Sequence, residues 1–320
     1  MQDVTETPDT VFATLADIHM YLPNLCILTF SIAGQGFFSA SLPNVVLNSV
    51  TSSGSLKCVR WYNSFVKPLV RPWTEFLERH PEIEVLDRGQ AVSLNSHIKL
   101  DAVKIVLGYP IRTGHWTLRS MVDLPGVRSM FYDLTYGIET NDAVTFSRLG
   151  QNLTDIQFTF FAPLRVPCLN VAFAQIRAEC TRLTQLVLAV SSWSMLGLYT
   201  LNLPSTVHTL GIRVMDGRHG LHVSAASVKR LFTALLPLYV ARNPTLKTIK
   251  FMEASNSRAL RSRPISLWRG LRVLEKLGVA VTDWDDRLIV PPSCPGIVQL
   301  QRQLDKLSST SIVDAHHPNS

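Results

Sequence analysis

The feature that most constrains this chain is a short apolar motif that recurs along most of its length. The motif has the form apolar-x-x-apolar-x-apolar. Its eight intact copies are Leu25, Leu28 and Phe30; Leu56, Val59 and Trp61; Ala102, Ile105 and Leu107; Val127, Met130 and Tyr132; Leu153, Ile156 and Phe158; Leu183, Leu186 and Leu188; Val207, Leu210 and Ile212; Leu246, Ile249 and Phe251. Repeats of this kind are typical of arrays in which each unit buries its apolar side by stacking on its neighbours.

Two further copies are degenerate at their third position. Ile83 and Leu86 are followed by Arg88, and Leu271 and Leu274 by Lys276. The ten first positions run from 25 to 271, an average spacing of about 27 residues, which lies in the range of leucine-rich repeats. Individual spacings vary from 19 to 39 residues, so the array is predicted to be irregular.

The motif predicts a short strand, because residues two apart point to one face of a strand. The intervening segments have helical spacing, for example around residues 73–77, 171–180, 228–236 and 267–274. Alternating strands and helices give a parallel sheet with helices packed on one side. Over residues 15–290 we therefore predict an α/β fold, an irregular leucine-rich-repeat-like solenoid with parallel strands on the concave face and helices on the convex face.

The alternative is an ordinary α/β domain whose strands share this spacing by chance, since 46% of the residues are hydrophobic. A similar turn before many copies favours the repeat. These turns are Leu-Pro-Asn at 22–24, His-Pro-Glu at 80–82, Leu-Pro-Gly at 124–126 and Asn-Pro-Thr at 243–245.

Three stretches, residues 73–86, 203–212 and 271–279, resemble fungal F-box-associated leucine-rich-repeat-like proteins. In that family an amino-terminal F-box docks the adaptor of a cullin ubiquitin ligase, and the repeats bind a substrate. The resemblance implies a non-catalytic scaffold that recruits substrates for ubiquitination, with a cullin-ligase adaptor as a further partner. It covers the repeat region, since residues 1–21 are short for an F-box and lack its Leu-Pro-x-Glu-type opening.

The segments outside the repeats have their own patterns. Residues 1–14 are expected to be a flexible N-terminus. In residues 291–307, Ile297, Leu300, Leu304 and Leu307 have the helical spacing of a segment that caps the open end of the core, and residues 308–320 are expected to be a disordered tail.

The strand residues that point away from the core are the candidate binding residues. They combine both charge signs with apolar and amide groups, which is typical of a protein-binding surface, and Arg60 and Phe131 are its expected anchors. The candidates are Arg60, Asp87, Lys104, Phe131, Asp155, Gln157, Gln185 and Lys250.

The net charge of +7 suggests a second function. The densest basic stretch carries Arg258, Arg261, Arg263, Arg269 and Arg272. We interpret it as a solvated loop that leads into a surface helix. The alternative is a nucleic-acid or phosphate contact through Arg258, Arg261 and Arg263, although a nucleic-acid partner is expected less than a protein partner.

Catalytic and ligand motifs were not found. The sequence contains no H-E-x-x-H, G-x-S-x-G or phosphate-loop pattern, so no catalytic centre, metal or cofactor is expected. Five scattered cysteines without a C-x-x-C pair indicate reduced, mostly buried thiols. Asp283, Asp285 and Asp286 are interpreted as a solvated turn.

Two stretches without formal charge, residues 18–56 and 183–212, raise the question of a membrane span. Proline, glycine and polar residues interrupt both, so no membrane partner is expected. Asp3, Glu6 and Asp9 argue against a secretory signal peptide. A cytoplasmic or nuclear monomer is therefore expected.

Overall fold

The computed structural model describes residues 24–30, 47–48, 50, 55–61, 70–87, 98–108, 122–134, 146–160, 166–198, 202–215 and 223–290. Its strands are β1 (Ile27–Phe30), β2 (Cys58–Trp61), β3 (Val85–Asp87), β4 (Ile98–Lys99), β5 (Ile105–Gly108), β6 (Val122–Asp123), β7 (Ser129–Asp133), β8 (Asp155–Phe160), β9 (Gln185–Val190), β10 (Thr209–Val214), β11 (Thr248–Phe251) and β12 (Ala280–Thr282). Its α-helices are α1 (Val70–Arg79), α2 (Val166–Glu179), α3 (Ala225–Lys229), α4 (Leu236–Arg242), α5 (Ala254–Arg261) and α6 (Pro264–Lys276). A π-helical turn, Arg230–Leu235, joins α3 to α4, and 3-10 turns occupy Gly150–Asn152 and Trp193–Leu198.

Ten of these strands form one sheet, and their order across the sheet follows their order along the chain. Each pairs in parallel with its neighbour. The predicted α/β fold with a parallel sheet is therefore confirmed. Strands β4 and β6, which the sequence did not predict, form a separate two-stranded parallel sheet.

Each repeat unit consists of a strand and the segment that leads into it. Backbone hydrogen bonds join each unit to the next one just before the strands begin. The residues immediately before nine of the strands form a leading row, and most of their carbonyls accept two N–H groups from the next unit. The Lys57 carbonyl, for example, accepts from Glu84 N at 2.8 Å and Val85 N at 3.0 Å. The leading row consists of Cys26, Lys57, Glu84, Lys104, Arg128, Thr154, Thr184, His208 and Lys247.

A turn closed by an i to i+3 hydrogen bond precedes seven of the strands, and in six of them it ends at the first motif position; before β5 it ends at Val103, one residue after the expected Ala102. Its two partners are His80 and Ile83, Leu100 and Val103, Leu124 and Val127, Gly150 and Leu153, Cys180 and Leu183, Pro204 and Val207, and Asn243 and Leu246. Each turn satisfies one backbone carbonyl and one backbone N–H before the strand begins.

The predicted register of the fourth copy is wrong. Ala102, Ile105 and Leu107 were expected to face the core, but Val103 and Val106 are the buried residues there. The other three are only partly buried. The segment is apolar at both alternating positions, so the motif fits it in two ways, and the turn that ends at Val103 selects one of them.

The predicted tenth strand is also wrong, because Leu271 and Leu274 lie in helix α6, as the helical spacing of residues 267–274 predicts. Both side chains are buried together with Leu267, as on one face of a helix. The motif and a helix share the i, i+3 spacing, which explains the error. The last strand of the sheet, β12, lies further along the chain at Ala280–Thr282.

The core lies between one face of the sheet and the helices. In helix α2, Phe173 and Ile176 are buried as predicted, whereas Val171 is 46% exposed. Helix α6 packs against the π-helical turn, where Gly270 lies directly on Phe232: a Cβ built on Gly270 would come within 1.8 Å of the Phe232 Cβ. Glycine is therefore required at this crossing.

Two buried asparagines bind backbone groups inside the helical layer. Asn256 of α5 accepts from Val214 N at 2.8 Å and donates to Val214 O at 3.0 Å, at the end of β10. Asn243 accepts from Leu203 N at 2.6 Å and donates to Tyr239 O. Each side chain fixes a segment about 40 residues away in sequence.

The edge of the sheet at β12 is covered by the residues that follow it. Asp283 N donates to Arg287 O and Ile289 N donates to Val281 O, both at 2.9 Å, so the chain folds back as a hairpin. Thr282 and Leu288 form an antiparallel bridge. The segments predicted at 1–14, 291–307 and 308–320 lie outside the described residues.

Within the described parts of the chain, no helix is both long and apolar enough to cross a membrane. The described residues of the second uncharged stretch form β9, a 3-10 turn and β10.

The contact of Gly270 with Phe232 gives a stability prediction. We expect Gly270→Ala to lower the free energy of unfolding by about 2–3 kcal/mol, because the added methyl forces the two helices apart. The control is Gly278→Ala, where φ is +73° but no atom lies within 4 Å of the new Cβ. That change should cost only about 1 kcal/mol of backbone strain. Urea unfolding followed by circular dichroism measures both, and equal losses would contradict the close packing.

Candidate binding surface on the sheet

The face of the sheet turned away from the core carries two rows of side chains, which we call the open face. The strand pairing defines the rows, since residues joined in register are lateral neighbours about 4.8 Å apart. The first row is Ile27, Cys58, Val85, Ile105, Ser129, Asp155, Gln185, Thr209, Thr248 and Ala280. The second row is Thr29, Arg60, Asp87, Leu107, Phe131, Gln157, Val187, Gly211, Lys250 and Thr282.

The structure brings most of the predicted binding residues onto these rows. Asp155 and Gln185 are neighbours in the first row, and Phe131 and Gln157 are neighbours in the second. Arg60 and Lys250 lie towards opposite ends of the second row. The backbone of Asp87 belongs to the same row, but its side chain is outside what the structure describes. Lys104 lies in the leading row.

An apolar strip on the open face was missed by the sequence analysis. Val85 and Ile105 are neighbours in the first row, and Leu107 and Phe131 in the second, and all four are partly exposed. The error in the fourth copy had placed Ile105 and Leu107 in the core and Val106 on the surface. The turn pattern, with Val103 as its fourth residue, was the signal that would have corrected this.

Polar side chains of strand β8 lie next to the strip. The Asp155 carboxylate accepts a 2.6 Å hydrogen bond from Thr154 Oγ1 and a 3.5 Å one from Ser129 Oγ. Gln157 Nε2 donates to Thr159 Oγ1 at 3.3 Å. These bonds orient a carboxylate and an amide next to Phe131, where both can contact a bound chain.

Charged side chains border the strip at the leading row. Lys104 Nζ donates to the Glu84 carboxylate at 2.9 Å, and Lys57 lies 3.8 Å from the same carboxylate. The hydrogen bond and the charge of Lys104 lower the pKa of Glu84. Arg128, which follows Lys104 in the leading row, is exposed.

The second row of the open face is buried at strands β9 and β10. Val187 and Gly211 are buried, and a Cβ built on Gly211 would come within 2.7 Å of Val187 Cγ2 and 3.0 Å of Met252 Sδ. Lys250 is mostly buried because its ammonium contacts the Asp286 carboxylate at 2.7 Å. Lys250 is therefore engaged within the chain. Ile27 and Thr29 are exposed at the N-terminal end of the face, and the apolar strip with its polar border is the partly exposed region in the middle of the sheet.

The three arginines of the phosphate hypothesis do not form one cluster of available groups. Arg263 Nε donates to Val223 O at 2.9 Å, and Arg261 lies 3.6 Å from Asp283. Arg258 is exposed on helix α5. The interpretation of this stretch as a loop is wrong, because Arg258 and Arg261 belong to α5 and only a short turn precedes α6.

The predicted acidic turn is present, but Asp283 is buried in it. Its Oδ1 accepts from Asp285 N at 3.1 Å and from Arg287 N at 3.0 Å. The carboxylate therefore stabilises the hairpin at the sheet edge. Among the described residues, no group of three or more His, Cys, Asp or Glu side chains could hold a metal ion.

Cys26, Cys58 and Cys180 are free thiols. Cys58 and Cys180 are buried as predicted, whereas Cys26 is exposed. Burial, with a smaller contribution from Glu179, raises the pKa of Cys180 to about 12.

A comparison with protein-family models finds no family that matches this chain. A comparison with curated proteins likewise finds no significant match. The function is therefore inferred from the surfaces described above.

The corrected register of β5 predicts opposite responses to a charge at adjacent positions. Val106→Asp should lower the free energy of unfolding by about 3–5 kcal/mol, because it buries an unpaired carboxylate. Leu107→Asp should cost less than about 1 kcal/mol, because this side chain faces outward. Urea unfolding compares the two variants, and a larger loss at Leu107 would restore the original register.

The pKa of Cys180 predicts its reactivity. At pH 8 the folded chain should leave this thiol unmodified by iodoacetamide, because only the thiolate reacts and burial keeps it protonated. Exposed Cys26 should be modified under the same conditions. Peptide mass spectrometry locates the labels, and both sites should be modified after unfolding. Rapid labelling of Cys180 in the folded chain would contradict its burial.

Proposed function

We propose that this chain is a protein-binding scaffold, a leucine-rich-repeat-like solenoid whose open face holds a partner. The observation that carries the proposal is the apolar strip of Val85, Ile105, Leu107 and Phe131 on the open face. Partly exposed apolar side chains with a charged and polar border are the usual composition of a protein interface.

Two features support the repeat architecture. The strand order follows the chain order through ten parallel strands. The closing turn and the leading-row hydrogen bonds recur in unit after unit. An ordinary α/β sheet needs neither feature, whereas stacked units with the same local geometry produce both.

The strip suits a partner that presents one or two large apolar side chains. Leu107 and Phe131 are lateral neighbours and offer an aliphatic and an aromatic surface side by side. Asp155 and Gln157 next to them can bind basic or amide groups of the same partner. In such an interface the central apolar contacts supply most of the binding energy.

The resemblance to F-box-associated proteins extends this proposal to ubiquitination. In that role the bound partner is a substrate, and a cullin-ligase adaptor is recovered with the complex. A free-standing binding module is the simpler form of the same proposal, and it requires the open face alone.

A double substitution tests the strip. We expect Leu107→Ala with Phe131→Ala to weaken partner capture by roughly a thousand-fold, since hot-spot residues each contribute about 2 kcal/mol and about 1.4 kcal/mol corresponds to ten-fold in affinity. Tagged wild-type and variant chains are purified from the source cells, and the captured proteins are quantified by mass spectrometry. Affinity for a partner recovered with the wild type is then measured with the two purified proteins.

The matched control is Val171→Ala with Val290→Ala, two exposed aliphatic residues outside the strip and outside helices α3 to α6. It should capture the same proteins as the wild type. Equal capture by the wild type and the strip variant would place the interface elsewhere. A cullin adaptor among the captured proteins supports the ligase role, and its absence with retained partners supports the free-standing module.

A further inference from the structure

The positive charge of this chain is concentrated in its C-terminal part. Residues 223–290 contain twelve Lys and Arg and five Asp and Glu, and this difference equals the net charge of +7 of the whole chain. The rest of the chain is balanced. Helix α1 illustrates the contrast, since its two arginines are accompanied by two glutamates.

The excess charge lies on the outer side of the helices. Helices α3 to α6 and the π-helical turn contain a single carboxylate, Glu275. Their exposed cations are Lys229, Arg230, Arg242, Arg258, Arg261, Arg269, Arg272 and Lys276.

Helix α6 orders its cations along one side. Ile265, Arg269, Arg272 and Lys276 are spaced by three or four residues and therefore share a face. The opposite face carries the buried residues of this helix. The Arg272 guanidinium lies over the Trp268 ring, 4.9 Å from its centroid, which holds the side chain along the helix.

A second helical segment with exposed cations packs against the buried side of α6. Gly270 lies directly on Phe232, so the backbones of α6 and the π-helical turn approach closely. Lys229 and Arg230 lie within one turn of Phe232, and Arg269 and Arg272 lie within one turn of Gly270. The crossing therefore brings cations about 40 residues apart in sequence onto neighbouring helices. We call this surface, with Lys276, the basic face.

Exposed aliphatic side chains occur on the same helices, and Ile265 shares the face of the α6 cations. Leu238 on α4 is 60% exposed, Ile265 on α6 is 42% exposed, and Leu277 at the end of α6 is 44% exposed. A nucleic-acid backbone offers its phosphates to the cations, whereas apolar contacts to nucleic acid are made at base edges inside the grooves. The boundary region of a bilayer offers both.

We propose that the basic face binds an anionic membrane surface, with its cations on lipid phosphates and Leu238, Ile265 and Leu277 in the boundary region. Such a peripheral contact needs no membrane-spanning helix. It does not depend on the proposed function, because the open face lies on the other side of the sheet.

Vesicle binding by the full chain tests this proposal. Phosphatidylcholine vesicles that contain phosphatidylserine should sediment with the chain, and vesicles of phosphatidylcholine alone should not. Binding should fall steeply as salt is added, because exposed charges are screened. The triple variant Arg269→Gln, Arg272→Gln, Lys276→Gln should lose about a hundred-fold in partitioning, since each basic residue contributes roughly five-fold.

Two further variants locate the contact. Leu238→Ser with Leu277→Ser keeps the charge but should lower partitioning by about ten-fold or more, because apolar burial is lost. The charge-matched control is Arg148→Gln, Arg177→Gln, Arg182→Gln, three exposed arginines outside the basic face. It should retain most of the binding.

Circular dichroism and the urea midpoint test whether each variant folds. The variant Lys229→Gln with Arg230→Gln replaces the triple variant if the triple variant does not fold.

Several outcomes overturn the proposal. These are the absence of binding to anionic vesicles, an equal loss in the charge-matched control, or full binding by the leucine variant. A parallel titration with single-stranded RNA and duplex DNA identifies the competing partner. Binding to either without binding to vesicles would assign the basic face to nucleic acid and end the membrane proposal.

Discussion

The leading-row hydrogen bonds are the interaction on which the rest of the structure depends. A carbonyl such as that of Lys57 or Arg128 accepts two N–H groups from the next unit, so the register of each strand is set where the strand begins. The intervening loops can then differ greatly in length without shifting the strands. Side chains far apart in sequence become lateral neighbours at about 4.8 Å, and the open face follows from this alignment.

The apolar motif was sufficient to predict nine of the strands, because a buried strand needs apolar residues at alternate positions and each unit repeats that need. It failed where two structures satisfy the same apolar spacing. Val103 and Val106 alternate with Ile105 and Leu107, so hydrophobicity alone left two registers open. Leu271 and Leu274 fit both a strand motif and a helix face, and burial of Leu267 with them decides for the helix.

The candidate surfaces depend on which strands and helices are neighbours. The apolar motif predicts the faces of a single strand better than it predicts these neighbours. Alternation along a strand correctly placed Phe131 on the open face, but its neighbour Leu107 became visible only with the pairing of β5 and β7. The closeness of Arg258, Arg261 and Arg263 in the sequence similarly suggested a cluster that the structure does not contain. Arg261 and Arg263 contact their own chain, whereas the crossing at Gly270 makes the segment that carries Lys229 and Arg230 a neighbour of α6.

The two proposed surfaces lie on opposite sides of one sheet and helix layer, and this separation has a physical consequence. The open face offers apolar contact with both charge signs, which favours a shaped partner that satisfies each group. The basic face offers charge of one sign with scattered aliphatic residues, which favours an extended anionic surface over a shaped one. Because the core separates them, a bilayer on the helices leaves the strip accessible, and a protein held there would face away from the membrane.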